Sequence, residues 1–182
     1  MPSMKILLIA GGWSSEREVS LTGARGMQEA LLKRGHAVTF FDLLENFDEL
    51  LETARQHDFA LINLHGSPGE DGLVQAMLEK ADCPYQGSGP SGSFLALNKA
   101  AAKQIFRMAG LPTADWEFLP VRPAEGWEPR LPWPLFVKTT TGGSSLRLGR
   151  ATNRQELDAL MDEIFAAGEG VGADEHTAVG VH

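Results

Sequence analysis

The chain has 182 residues, Lys and Arg number 16 against 24 Asp and Glu, and the formal net charge is −8. That length suits one medium domain or two small ones, and hydrophobic residues at 43% with charged residues at 22% are ordinary for a globular protein with a core. An acidic chain with no stripe of Lys and Arg is a poor partner for nucleic acid, whereas a nucleotide needs only a few placed cations and backbone amides.

Lys5–Ala10 is a continuous apolar run that ends at Gly11-Gly12, the pattern of a strand buried on both faces. It has neither a basic leader nor a small-residue cleavage site, so it reads as a strand and not a signal peptide. No apolar run is long enough to span a bilayer. Ser15 and Glu18 have capping-box spacing, and a helix is expected over about 19–34 with Leu21, Ala24, Met27, Ala30 and Leu31 on one face and Gly35 as its stop. A strand at 37–42, a helix at 48–56 and an apolar strand at 59–64 follow. This alternation at short separations predicts a parallel sheet covered by helices.

A short helix is expected over 73–81 and a glycine-rich turn over 85–90. The one cysteine, Cys83, rules out an internal disulfide and reads as a small buried hydrophobe in a reducing compartment. Residues 98–109 predict a strong helix, stopped by Gly110 with Pro112 beyond. Short strands at 116–119 and 135–138 flank a proline-rich connection, and Leu146–Gly149 reads as the return strand of a hairpin. A helix over 153–166 has Thr152 and Gln155 as a capping box, and residues 168–182 show no clear periodicity. The change in character sets a boundary near residue 96, giving 1–96 as a three-layer α/β unit and 97–182 as a smaller α+β unit.

Three loops could carry chemistry. Gly11-Gly12 before a helix lets a ligand approach backbone amides, although GGWSSE lacks the spacing of a dinucleotide fingerprint. Glu18 suits the positive helix end; Glu16, beside the glycine turn, could also hold an ammonium group. His65–Gly72 follows a buried strand where open α/β sheets place ligands, although Asp71 could simply cap the next helix. Lys138 begins KTTTGGSS, a hairpin loop able to cover phosphates with amides and one point charge, or only a flexible turn. Lys99 and Lys103, one turn apart, would by themselves be a solvated helix face. No metal-ligand spacing and no covalent catalytic arrangement is present in the sequence.

Together and in this order, GGWSSEREVSL (11–21), LHGSPGEDGLVQAML (64–78), PYQGSGPSGSFLALNKAAAKQIFRMAGLPT (84–113) and PLFVKTTTGGSSLRLG (134–149) resemble the D-alanine–D-alanine ligase family of the ATP-grasp superfamily, in its N-terminal and central portion. The resemblance implies a Rossmann-like pre-ATP-grasp domain followed by a small α+β ATP-grasp subdomain, with the C-terminal ATP-grasp part missing. It implies ligation of two D-alanines for peptidoglycan precursor synthesis in the cytoplasm. ATP phosphorylates the first carboxylate, and the second amine attacks the acyl phosphate. By motif, Glu16 would bind the ammonium of the first D-alanine. His65 would lie near its carboxylate, Glu70 would support the His65 loop, and Lys99 and Lys138 would contact ATP phosphates. Ser144 and Ser145 would lie in the phosphate-covering loop, Ser144 also orienting Glu16.

The family's Mg²⁺ ligands are expected beyond this stretch, leaving this chain inactive alone and without a metal site of its own. A homodimer through the N-terminal domain is the implied assembly. Departures from the family pattern are Thr139 in place of proline, the neutral Thr141-Gly142-Gly143, the bulky Trp13, and Ser67-Pro68 in place of a more basic pair. Two other readings stay open. The chain could be a non-catalytic D-alanine- or nucleotide-binding or dimerisation module, or an ATP-grasp ligase with a different second substrate.

Overall fold

The computed structural model describes residues 2–141, 147–169 and 179–181. They fall into two units, Met1–Phe94 and Leu95–His182, with the division inside a helix.

The first unit is built on a parallel three-stranded sheet of order β2-β1-β3, with β1 at Lys5–Ala10, β2 at Ala37–Asp42 and β3 at Phe59–Ile62. β1 occupies the centre because five of its six residues are buried. Its alternating side chains feed two separate cores. Leu8 and Ala10 pack with Ala24 of α1 (Arg17–Lys33), while Leu7 and Ile9 meet Leu50 and Ala54 of α3 (Leu50–Ala54) and Val74 and Leu78 of α4 (Leu73–Lys80). Helices thus cover both faces of a parallel sheet, as the alternation predicts. The fourth position of the sheet is filled without a full strand. Tyr85 bridges Ala60, and the Gln86 side chain accepts from Ile62 N–H at 2.9 Å and donates to Ile62 C=O at 2.6 Å.

Several local expectations are corrected. α1 begins at Arg17, two residues early, and the Ser15–Glu18 capping box does not form. The N-cap is Glu16, without a side-chain cap bond, and its N–H donates to Ser14 Oγ at 3.2 Å. Met27 and Ala30 are exposed, and Ser20 shares the buried face of α1 with Ala24. The segment after β2 forms a short α2 (Leu43–Asn46), a 3-10 turn and α3 in place of one helix over 48–56. Asp42 starts it early by accepting from Leu44 N–H at 3.1 Å. The glycine-rich turn runs into an unexpected α5 (Pro90–Leu97).

The second unit carries an antiparallel sheet of order β4-β7-β5-β6, comprising Glu117–Leu119, Val179–Val181, Leu135–Thr139 and Gly149–Ala151. Its core is Leu135, Val137 and Ala151 under Leu157, Met161 and Ile164 of α7 (Arg154–Glu169). The hairpin return starts at Gly149, later than the sequence suggested, and pairs Ala151 with Leu135. Gly149 itself is crowded: a Cβ there would lie 2.2 Å from Leu160. The capping box of α7 is one residue on from Thr152 and Gln155. Asn153 Oδ1 accepts from Glu156 N–H at 3.0 Å, and the Glu156 carboxylate accepts from Thr152 N–H at 2.7 Å. β7 lies in a stretch that showed no periodicity; three residues between two strands are too short to announce themselves. α6 spans Lys99–Met108, capped by Asn98, whose Oδ1 accepts from Ala101 N–H at 3.0 Å.

Candidate functional site

In the first unit the carboxyl ends of β1 and β3 deliver two loops to one edge of the sheet, the usual place for a ligand in an open α/β fold. Gly11 and Gly12 both take left-handed backbone, φ 78° and 76°. Gly11 is also a steric requirement, because a Cβ would sit 2.4 Å from Arg17 Nη1 and 2.5 Å from Asp42 Oδ1. Those two residues form a bidentate ion pair, Nη1 to Oδ1 at 2.7 Å and Nη2 to Oδ2 at 2.6 Å, and Nη1 also reaches Gly12 C=O at 3.3 Å. The hydrogen bonds from Arg17 hold the Asp42 carboxyl below its usual range against the opposing effect of burial. Ser20 ties the same turn to β3. Its hydroxyl accepts from Gly11 N–H at 2.8 Å and donates to Asn63 C=O, while Asn63 Nδ2 donates to Ser20 C=O at 2.7 Å. Glu16 stands between the glycine turn and α1, half-buried.

The second loop follows directly. His65 is half-buried. Glu70 closes the loop by accepting from Gly66 N–H at 2.8 Å. Gln75 Nε2 donates to Gly69 C=O at 2.6 Å, and Gly69 lies so close to Leu64 that a Cβ would fall 2.2 Å from Leu64 Cβ. Asp71 does cap α4, accepting from Leu73 N–H at 2.9 Å, and it also takes a bond from Ser67 Oγ at 2.5 Å. The two loops touch, since a Cβ at Gly66 would sit 3.4 Å from Ser14 Cβ and one at Gly12 would sit 3.3 Å from Leu64 Cδ2. The Glu16 and His65 segments therefore share one surface. Trp13, the bulky departure, turns onto Phe47 in an edge-on contact at 5.4 Å.

In the second unit, Lys99 opens α6 against the end of β5. Its N–H donates to Thr140 C=O at 2.9 Å and its ammonium reaches the same oxygen at 3.4 Å, two residues beyond Lys138. Burial, and then the charge of Lys138, holds the Lys99 ammonium below the ordinary lysine range. Two cations converge beside the amino end of a capped helix, an arrangement that attracts anions. Lys103 is not the solvated residue expected of it. It donates to Thr113 Oγ1 at 2.9 Å and Ala114 C=O at 2.7 Å, lies 5.4 Å from the Trp116 ring, and is held low by burial and by Lys138. Ser144 and Ser145 lie outside the described residues. Among the described residues, no group of three His, Cys, Asp or Glu could hold a metal ion, and no helix is long and apolar enough to cross a membrane.

Sequence reasoning passed over Arg17, Asp42, Ser20 and Asn63. The available signal was an acid at the carboxyl end of a parallel strand, Asp42 being the last, buried residue of β2.

Comparison with known proteins finds relatives in sequence and in fold. The chain is 76% identical over 168 residues to a D-alanine–D-alanine ligase of Desulfovibrio desulfuricans, covering 92% of this chain and 55% of the relative. It is 63% identical to that of Nitratidesulfovibrio vulgaris, covering 92% and 56%. The D-alanine–D-alanine ligase of Bacillus anthracis superposes with a TM-score of 0.83 at 33% identity, over 99% of this chain and 57% of that one. By sequence and fold, the chain is similar to part of these D-alanine–D-alanine ligases. It spans about half the length of the curated relatives it matches. No family model matches it. The same Bacillus anthracis ligase solved in complex with ATP matches with a TM-score of 0.80 at 31% identity, over 99% of this chain and 58% of that one.

Proposed function

We propose that this ligase-family protein serves the ATP-dependent joining of two D-alanines for peptidoglycan precursor synthesis. Residues 1–96 would hold the first D-alanine and 97–182 the nucleotide phosphates. The γ-phosphoryl group of ATP passes to the carboxylate of the first D-alanine. The amine of the second then attacks the acyl carbon, inorganic phosphate leaves, and an amide bond remains. No protein nucleophile is needed, so the work of the chain is positioning and charge neutralisation.

The observation that carries this reading is the seating of Lys99 at the amino end of α6 against Thr140, where burial and then the charge of Lys138 hold its ammonium below the ordinary lysine range. An anion favours the charged form of a partly buried ammonium at a helix start, and a triphosphate is such an anion. On the opposite charge, Glu16 receives the ammonium of the first D-alanine beside the Gly11-Gly12 turn. His65 faces that substrate's carboxylate from the adjoining loop, whose shape Glu70 maintains through Gly66 N–H. The parts expected of Ser144 and Ser145 fall outside the described residues. Mg²⁺ accompanies ATP in this reading. Among the described residues no group of three His, Cys, Asp or Glu could hold it.

Pairing of two copies through the first unit belongs to the same proposal, supported by Val19 and Leu32, which stay exposed on α1. So does a cytoplasmic location, supported by the single buried free cysteine. The test is binding, because each binding element lies within one unit. Purified chain is titrated separately with D-alanine and with Mg-ATP, alongside Glu16→Ala and Lys138→Met, and assayed for D-alanine-dependent phosphate release. Loss of D-alanine binding in the first variant and of ATP binding in the second supports the reading. Failure of the unaltered chain to bind either ligand overturns it.

A further inference from the structure

We infer that Arg17 and Asp42 form a positioning pair that sets Glu16, and with it the first-substrate turn, in place. Arg17 is the residue directly after Glu16 and the first residue of α1. Its guanidinium reaches across to the last residue of β2 and back to Gly12 C=O, so two points of the site edge are fixed by one side chain. Asp42 is anchored in turn. It lies in register with Ala10 of β1, and its Oδ1 also accepts the Leu44 N–H that starts α2. The pair is largely enclosed, with side-chain exposures of 24% and 11%. Bidentate geometry fixes angle as well as distance, which a lone lysine could not do. Gly11 is the seat of the pair, since any side chain there would displace both charged groups.

A mere stabilising bridge would not need these extra ties to the turn. Glu16 lies between Gly12 and Arg17, the two points that the Arg17 side chain ties together. That backbone is pinned by Arg17 on one side and by Gly12 C=O on the other. The role assigned to the pair rests on the proposed binding of a substrate ammonium by Glu16.

The experiment compares the full chain with Asp42→Asn, Asp42→Glu and the core variant Leu78→Val. D-alanine affinity, thermal stability and the Gly12–Glu16 amide signals by NMR are measured for each. Asp42→Asn keeps shape and the Leu44 cap but loses the charge, and should weaken D-alanine binding about tenfold or more, because the ligand edge is no longer held in its geometry. It should also move the Gly12–Glu16 amide signals. Asp42→Glu should restore part of both. Leu78→Val should lower the melting temperature while leaving affinity and those amide signals unchanged. The pair has no positioning role if Asp42→Asn binds as the unaltered chain does, or if Leu78→Val loses as much affinity. If the unaltered chain binds no D-alanine, the proposed function fails separately. The Gly12–Glu16 amide signals then decide alone: a change in Asp42→Asn sustains the pair, and none overturns it.

Discussion

The two units handle charge in opposite ways. In the first, Arg17 and Asp42 meet in a closed bidentate pair whose remaining bonds go to the backbone of the loops around it. In the second, Lys99 and Lys138 are brought together, and the protein environment disfavours the cationic form of Lys99. A closed pair shapes backbone and is satisfied as it stands. Converging cations leave an electrostatic cost that a bound anion offsets. One unit therefore presents a preformed surface, and the other, in the proposed function, a place for an anion.

Breaking the platform under the first surface should have the largest effect. Leu7 is fully buried at the centre of the sheet, so Leu7→Ala should cost roughly 2–5 kcal/mol, read by urea denaturation. If the loss were below 1 kcal/mol by the same measure, β1 would not be the keystone described. Crowding the second loop comes next. Gly69→Ala would press a methyl into Leu64 and should cost roughly 1–3 kcal/mol while weakening D-alanine binding, since the loop carrying His65 must shift. An unchanged affinity would separate His65 from the substrate.

The closed pair makes a prediction with a definite sign. The Asp42 carboxyl is held low in the folded chain, chiefly by the hydrogen bonds from Arg17. Between the folded and unfolded values the unfolded chain binds more protons, so stability rises with pH across that window. The contribution is complete above the unfolded carboxyl value of about 3.9 and is lost as pH falls through the folded one. Asp42→Asn should remove about 1–3 kcal/mol at neutral pH and flatten the acid limb of a stability profile between about pH 2 and 5. An unflattened limb would assign the acid sensitivity to other carboxylates.

The first unit was the more legible in the sequence, for reasons of length and period. β1 is an unbroken apolar run and α1 a helix of 17 residues, long enough for pattern to dominate. Gly11-Gly12, His65 and Glu70 could be picked out because polar and glycine residues are conspicuous after buried strands. The pairing of Arg17 with Asp42 could not, since a pair 25 residues apart is created by parallel register and not by spacing. The capping residues slipped by one or two positions because Ser, Thr, Asn and Glu cluster at each helix start, and only backbone geometry selects among them. In the second unit three-residue strands gave no period to read, and Lys103 looked solvated because its partners Thr113, Ala114 and Trp116 lie beyond the end of its helix.

The smallest effect concerns the converging lysines, and there stability and binding should move in opposite directions. Lys99 is held below the ordinary lysine range, first by burial and then by Lys138. The unfolded chain therefore binds more protons at this site between the folded value and the ordinary one near 10.4, so stability should rise with pH through that interval. Lys138→Met removes the second cause and leaves the first. The rise should become shallower, and the variant should gain stability at neutral pH by less than about 1 kcal/mol, the usual scale of such charge interactions. The same substitution should weaken Mg-ATP binding, because the charge that disfavours the empty site is the one that meets the phosphate. Thermal melts with and without nucleotide read both effects on one sample. A variant less stable in both conditions would mean that Lys138 serves β5 and not a phosphate, whereas a gain without nucleotide and a loss with it is the pattern of a site built for an anion.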